Sequence, residues 1–487
     1  MPRVRTVQRF AILFLLYFAL WWLANLPATS HAWLSTDDFD FARDYRWWHN
    51  YGHGRPLGNL VMASLSWDTG ANGELANILF RTLQGAVHAA TAVMAAALLY
   101  KSTRLRVALI APAIFLLWPY NGEAAVWRAA GNFPLSAFVS VTGALFVYHS
   151  LAAGRRWLAP LGMVMVASAV LMQQLGAMAG LLLWAIMLVV QRAAPQRREL
   201  IGAAWLGAGY ACGALASKAV TRAFLGDTPG RDQLATDLWG KVAYLRYLWA
   251  EVLWSRFSPL QQGLQLFLLG LLIVAFALHL IRVAEPPTAK LIRAAALAAV
   301  FTFPYAPMLI TVNSPDTMRV LYLAPFLLVA AAIAAAPWLE RVLPHAGVVL
   351  TGALLVIYLP LAYVNSGDFV RLYNADVQFL EKLSTEAAAA GRDAPAKVAV
   401  AYLDYYFRAY DPHGVIRMLN GEAKLSAFLN SWAGRALIEW RTDLIPVTDN
   451  AVLKKCGTAC TAVREAGNVS PFLILPMDDG ADYCVCP

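Results

Sequence analysis

From Phe10 to Tyr363 the chain alternates long apolar runs with short basic or polar breaks. Most runs approach the roughly 20 residues that a helix needs to cross a bilayer, and several are short. Spans are expected at 10–26, 75–100, 107–119, 133–153, 157–172, 175–191, 199–217, 260–281, 292–311, 319–336 and 346–364, eleven in all. The first follows Arg3, Arg5 and Arg9 as a signal peptide would. No small-residue cleavage site leads into a soluble mature chain, so it is read as an uncleaved span. Past residue 364 the pattern changes. Ala375 to Ala390 reads as a helix, and Lys397 to Leu403 and Pro471 to Pro476 read as strands. The expected architecture is an all-α polytopic membrane protein of about 11 transmembrane helices, residues 1–365. A small C-terminal α/β extracytoplasmic domain, residues 366–487, completes it. No internal repeat is visible.

Composition agrees with that class. Of 487 residues, 59% are hydrophobic and 14% charged, against about 25% charged in soluble domains. The net charge of +9 conceals a division. From Asp368 onward 12 Lys and Arg face 15 Asp and Glu, while the rest of the chain holds 27 basic and 15 acidic side chains. The basic excess falls in alternate breaks: Lys101/Arg104/Arg106, Arg155/Arg156, Arg192/Arg197/Arg198, Arg282/Lys290/Arg293 and Arg341/His345. Such clusters mark cytoplasmic loops. The N-terminus is then inside and the C-terminal domain outside the cytoplasm. This charge orients the chain in the bilayer and gives no hint of a nucleic-acid partner.

Cys212 stands alone in an apolar span and is expected in the core. Cys456, Cys460, Cys484 and Cys486 all belong to the tail. An even set in a non-cytoplasmic domain points to two disulfides, with a zinc site as the competing reading. Pairing between the two clusters is favoured over a bridge within Cys484-Val485-Cys486, and which cysteine meets which stays open.

On the expected topology every unusual polar segment gathers on the outer face. The first outer loop carries Ser35-Thr36-Asp37-Asp38-Phe39-Asp40-Phe41-Ala42-Arg43-Asp44. Charge so close to hydrocarbon is costly unless water or a ligand compensates it. A carboxylate there can deprotonate an acceptor hydroxyl attacking an anomeric carbon, and Asp37 and Asp38 are the candidates for that base. The structural alternative is a helix N-cap, with Arg43 and Arg46 as ordinary partners. Arg55, between Gly54 and Pro56, offers a planar, permanent charge to a donor phosphate, or snorkels to headgroups. Arg319, after Asp316, is a second phosphate candidate. Asp40, Arg43, Glu123, Arg128, Gln173 and Gln174 complete the candidate substrate contacts. Arg81 is expected to face the cavity, and His88, seven residues on, to be a satisfied interior histidine.

One span, an acidic pair in an outer loop, Gly54-Arg55-Pro56-Leu57-Gly58-Asn59-Leu60 and the stretch from Trp118 to Phe138 follow in that order. The arrangement resembles the GT-C superfamily of integral-membrane glycosyltransferases, in particular the bacterial glucosyltransferases that decorate O-antigen and related surface glycans. The resemblance covers roughly residues 1–365. It implies an inverting transfer from a polyprenyl-phosphate sugar to a glycan or lipid acceptor. It also implies a catalytic aspartate in the first outer loop, which falls on Asp37 or Asp38. Acidic pairs hold Mg²⁺ or Mn²⁺ through oxygen, but a lipid-monophosphate leaving group does not require one.

Two other classes compete. A transporter is expected to show inverted halves with broken spans at matching positions, and none are visible. A lipid-linked polysaccharide polymerase or ligase would use a late basic outer loop. Lys218 to Pro259, with Lys218, Arg222, Arg231, Lys241, Arg246 and Arg256, keeps that option open. The same loop also reads as a pair of amphipathic interfacial helices, because Leu238, Trp239, Leu245, Trp249 and Trp254 suit a headgroup layer.

Overall fold

The computed structural model describes residues 2–31, 55–58, 73–118, 131–191, 193–225, 235–247, 259–282, 285–311, 321–389, 395–401, 437–438, 442–466, 473–478 and 480–486. Helices dominate. In order they are α1 (Pro2–Ala24), α2 (Leu26–Thr29), α3 (Gly73–Thr103), α4 (Ala113–Leu117), α5 (Asn132–Ala153), α6 (Leu158–Met172), α7 (Gln174–Val190) and α8 (Arg197–Leu225). There follow α9 (Leu238–Tyr247), α10 (Pro259–Arg282), α11 (Pro287–Thr302), α12 (Ala306–Ile310), α13 (Pro325–Val342), α14 (Ala346–Ala389) and α15 (Asn450–Glu465). Among the described residues six helices are long and apolar enough to cross a membrane: Ile78–Thr103, Asn132–Ala153, Arg197–Phe224, Pro287–Ile310, Pro325–Val342 and Ala346–Ala389. Gln8–Ala24, Leu158–Met172, Gln174–Val190 and Leu266–Leu278 are apolar but shorter.

Small residues set the packing of the central helices. Ser136 and Ser140 on α5 face Gly176 and Gly180 on α7, and a Cβ on either glycine would stand 2.5 or 2.6 Å from the α5 backbone. Ser140 Oγ donates to Ala177 O at 2.5 Å and accepts from Gly180 N at 3.1 Å. Gly209 and Gly213 bring α8 equally close to α6. Without a hydrophobic drive between helices in lipid, close backbone approach and buried hydroxyls supply the attraction.

The stretch 107–119 is expected as a regular span, but its described part, to residue 118, holds a 3₁₀ turn (Arg106–Leu109) and the five-residue α4. Pro112 precedes α4 and lacks an N–H, which interrupts the ladder. Irregular backbone survives at membrane depth only inside protein. Here Val107, Ala108 and Ala113 to Trp118 are all buried, and Tyr17 OH donates to Leu109 O at 2.7 Å.

The last long helix runs on where the hydropathy pattern stops. At 44 residues α14 is roughly 66 Å long, about twice the hydrocarbon thickness, so residues from 365 onward project beyond it. The expected helix near 375–390 is its far end, and the boundary placed at 365/366 falls within it. On it rests a four-stranded sheet, β1 (Lys397–Val400), β2 (Ile445–Pro446), β3 (Leu473–Pro476) and β4 (Tyr483–Cys486), in the order β2-β1-β4-β3. β1 is parallel to β2 and β4, and β3 is antiparallel to β4. Alternation sorts the faces: Val398, Val400 and Val485 join the core that includes α14, while Ala399, Ala401, Cys484 and Cys486 meet α15.

The tail cysteines form Cys456–Cys484 and Cys460–Cys486, with Cα separations of 5.4 and 5.3 Å. Four residues of helix rise about 6 Å and two of strand about 6.6 Å, so the two spacings match and both bridges form side by side. This resolves the pairing left open by the sequence. Cys212 corrects an expectation: it is exposed on the outer surface of α8, away from the core.

Candidate functional site

Helix ends divide the bundle into two poles. At the pole that carries the tail, the segment Arg55–Gly58 lies against the starts of α5 and α7 and the end of α6. A Cβ on Gly58 would sit 2.8 Å from Met172 O, 3.4 Å from Arg55 Cβ and 3.6 Å from Asn132 Nδ2. Only glycine permits that approach, and it brings Arg55 beside the helix starts. Arg55 Nε donates to Gln174 Oε1 at 3.0 Å. Gln174 Nε2 in turn donates to Ser217 Oγ of α8 at 3.2 Å.

Gln173 breaks the helix between α6 and α7, with φ −164° and ψ 117°. It is buried, and its carbonyl accepts from Ser136 Oγ at 2.7 Å, a hydroxyl that also meets Ala169 O at 2.9 Å. The two glutamines, candidate substrate contacts in the sequence, therefore sit at a broken helix tip. Gln174 goes further, because it links an arginine to a third helix.

Asn132 opens α5 at 4% exposure, and its Oδ1 is enclosed with no hydrogen-bond partner among the described residues. The helix start carries no side-chain cap. A buried amide without a partner is destabilising, by about 1–3 kcal/mol. Neither Asn132 nor Ser217 figured among the sequence-based candidates. The available signal was a lone amide at the threshold of an apolar run.

A second polar group lies at the same pole. Arg81 is fully buried and its Nη1 donates to Ala28 O at 3.2 Å and His31 O at 3.1 Å, fixing the exit of the chain toward residues 32–54. Ser366 Oγ accepts from Ala28 N at 3.1 Å, tying that exit to α14. Asn365, Asp368 and Asp376 are buried on the same helix, Asp368 paired with Arg371. His88 is a satisfied interior residue: Nδ1 meets Gln84 O at 2.9 Å and Nε2 meets Tyr322 OH at 3.3 Å.

Within the 218–259 loop, Trp239 of α9 is exposed, while Lys241 is buried and donates to Met308 O at 3.0 Å. Burial pushes the Lys241 ammonium below the ordinary lysine range, and the charge of Asp237 opposes this. Asp37, Asp38, Asp40, Arg43, Glu123, Arg128 and Arg319 lie outside the described residues. Of the candidate site residues, Arg55, Gln173 and Gln174 are described, and the structure gathers all three. Among the described residues the cluster with metal-ligand character is Cys456, Cys460 and Cys484, within 4.8 Å of one another. Disulfide bonding takes up those sulfurs. The chain matches no protein-family profile and no curated protein.

Proposed function

We propose that the protein is an integral-membrane glycosyltransferase of GT-C type. It moves a sugar from a polyprenyl-phosphate donor to a glycan or lipid acceptor at the outer face of a bacterial inner membrane. The observation that carries the reading is the junction of Arg55, Gln174 and Asn132 at one pole of an apolar bundle. A buried amide oxygen with no partner among the described residues and an uncapped helix start, set beside a guanidinium, are costly there unless a polar ligand uses them. The reading places the N-terminus in the cytoplasm, eleven crossings between it and the tail, and the tail outside.

In the proposed reaction the acceptor hydroxyl attacks the anomeric carbon as the bond to the lipid phosphate breaks. Asp37 or Asp38 takes the hydroxyl proton, and the phosphate leaves with the bonding electron pair. Arg55, with Arg319 as second candidate, stabilises that growing negative charge. Asp40, Arg43, Glu123 and Arg128 are the proposed contacts to sugar and acceptor. Inversion follows from a single displacement, and no divalent ion is needed for a monophosphate to leave.

Sugar transfer in membranes, with expression matched, tests the reading. Asp→Asn at the true base keeps the shape but removes the proton acceptor, and transfer is expected to fall about 10²–10⁴-fold. If Asp37→Asn and Asp38→Asn both transfer at the wild-type rate, the pair is a helix cap. The chemistry then moves to the 218–259 loop and the polymerase or ligase class.

A further inference from the structure

We infer that the start of α5 is the seat of the lipid-linked phosphate, with Asn132 as a direct ligand beside Arg55. The inference rests on the transferase reading above and names a residue and a helix end that the reading does not require.

Four observations meet at this point. α5 is 22 residues long, and no side chain caps its start. The backbone N–H groups of Gly131, Asn132 and Phe133 precede the first intrahelical bond, and Pro134 has none to offer. Aligned peptide dipoles add partial positive charge where those donors point, which makes a helix start a natural anion seat. Asn132 is 4% exposed, and its Oδ1 is enclosed without a partner among the described residues. An amide exchanges its oxygen and nitrogen positions by a half-turn, so the same position can present an N–H to an anion.

Gly58 connects the helix start to the arginine. Its Cβ position lies 3.4 Å from Arg55 Cβ and 3.6 Å from Asn132 Nδ2, so the two side chains flank one glycine. Arg55 carries five N–H donors, and the bond to Gln174 Oε1 orients the guanidinium through Nε. A phosphate held between a guanidinium, an amide and backbone N–H groups would meet donors on several sides. The polyprenyl chain would leave toward the bilayer that surrounds the bundle.

The test uses the purified full-length protein in micelles and three probes: a polyprenyl monophosphate without sugar, the matching polyprenol, and inorganic phosphate. Binding is read by thermal shift and titration. Wild type is expected to bind the lipid phosphate at least tenfold tighter than the alcohol. Asn132→Asp sets a carboxylate against the anion and is expected to lose at least tenfold of that affinity. Asn132→Ala removes the amide without adding charge and is expected to lose several-fold, which keeps the test valid if the aspartate variant misfolds. Affinity unchanged in Asn132→Ala, or in a folded Asn132→Asp, would overturn the seat while leaving the lipid-phosphate donor intact. A wild type that does not prefer the phosphate to the alcohol would overturn both. Inorganic phosphate giving the same shift at equal concentration would make this a free-anion site and overturn the lipid assignment.

Discussion

An arginine sits inside protein at each pole of the bundle, and the two are satisfied in different ways. Arg293 is fully buried and uses all five donors. Nε and Nη2 grip Glu285 at 2.9 and 2.7 Å, Nη1 meets Leu188 O and Val189 O at 2.9 and 3.1 Å, and Nη2 meets Ala193 O at 2.9 Å. Leu188 and Val189 belong to the last turn of α7, where carbonyls have no intrahelical partner and the helix dipole favours a cation. Arg55 is half-buried and bonds the neutral amide of Gln174, close to an asparagine whose oxygen has no partner among the described residues. A saturated, neutralised charge reads as architecture. A guanidinium joined to an amide, beside an asparagine oxygen with no partner among the described residues and an uncapped helix start, reads as a place prepared for a ligand.

The comparison breaks most readily at Arg293. Arg293→Ala leaves Glu285 buried without its cation and strands three carbonyls, and removing one partner of a buried pair costs about 3–5 kcal/mol. Size-exclusion profiles should show little folded protein; a wild-type yield would show that this pole tolerates the loss of its bidentate arginine. In the tail, Cys456→Ser with Cys484→Ser opens a bridge of sequence separation 28, expected to cost about 2–4 kcal/mol. Thiol labelling of wild type under denaturing, non-reducing conditions should find Cys212 alone, and label at the tail cysteines would refute the bridges. Gly176→Ala places a Cβ 2.5 Å from Phe133 O, an over-packing expected to cost about 1–3 kcal/mol. An unchanged melting temperature would show that α5 and α7 can separate freely. Asn132→Leu is expected to do least to the fold. It replaces an unsatisfied amide by a side chain of similar shape, so the melting temperature should hold or rise. A fall of several degrees would mean that the amide holds α5 in place.

The sequence carried the bundle where apolar runs end sharply. The expected 133–153, 157–172 and 175–191 became Asn132–Ala153, Leu158–Met172 and Gln174–Val190, because Gly154-Arg155-Arg156 and Gln173-Gln174 punctuate them. It misled at 107–119, where an apolar run buried in protein need not be helical, and at α14, which runs on through Asn365-Ser366-Gly367 where the sequence reads as a stop. The strands at 397 and 473 were legible as short apolar runs. Tyr483–Cys486 was not, since Cys-Val-Cys reads as a disulfide motif before it reads as alternation. At the candidate site Arg55 and the glutamines stood out as polar residues in apolar surroundings. Their meeting did not, because the sequence separation of 119 between Arg55 and Gln174 is closed by tertiary packing at Gly58. Asn132 escaped for a different reason: its sequence signal is only a lone amide at the threshold of an apolar run, and the unsatisfied oxygen that marks it is a property of the packed structure.

The contrast between the poles is tested most directly by one conservative exchange made at each. Lysine keeps the charge but loses the fork and its directed donors. Folded yield and sugar transfer from a polyprenyl-phosphate donor should both be measured in Arg55→Lys and Arg293→Lys. The account predicts that Arg55→Lys folds as wild type and loses transfer by about tenfold or more, while Arg293→Lys loses folded protein. Full transfer by Arg55→Lys, at wild-type yield, would contradict it.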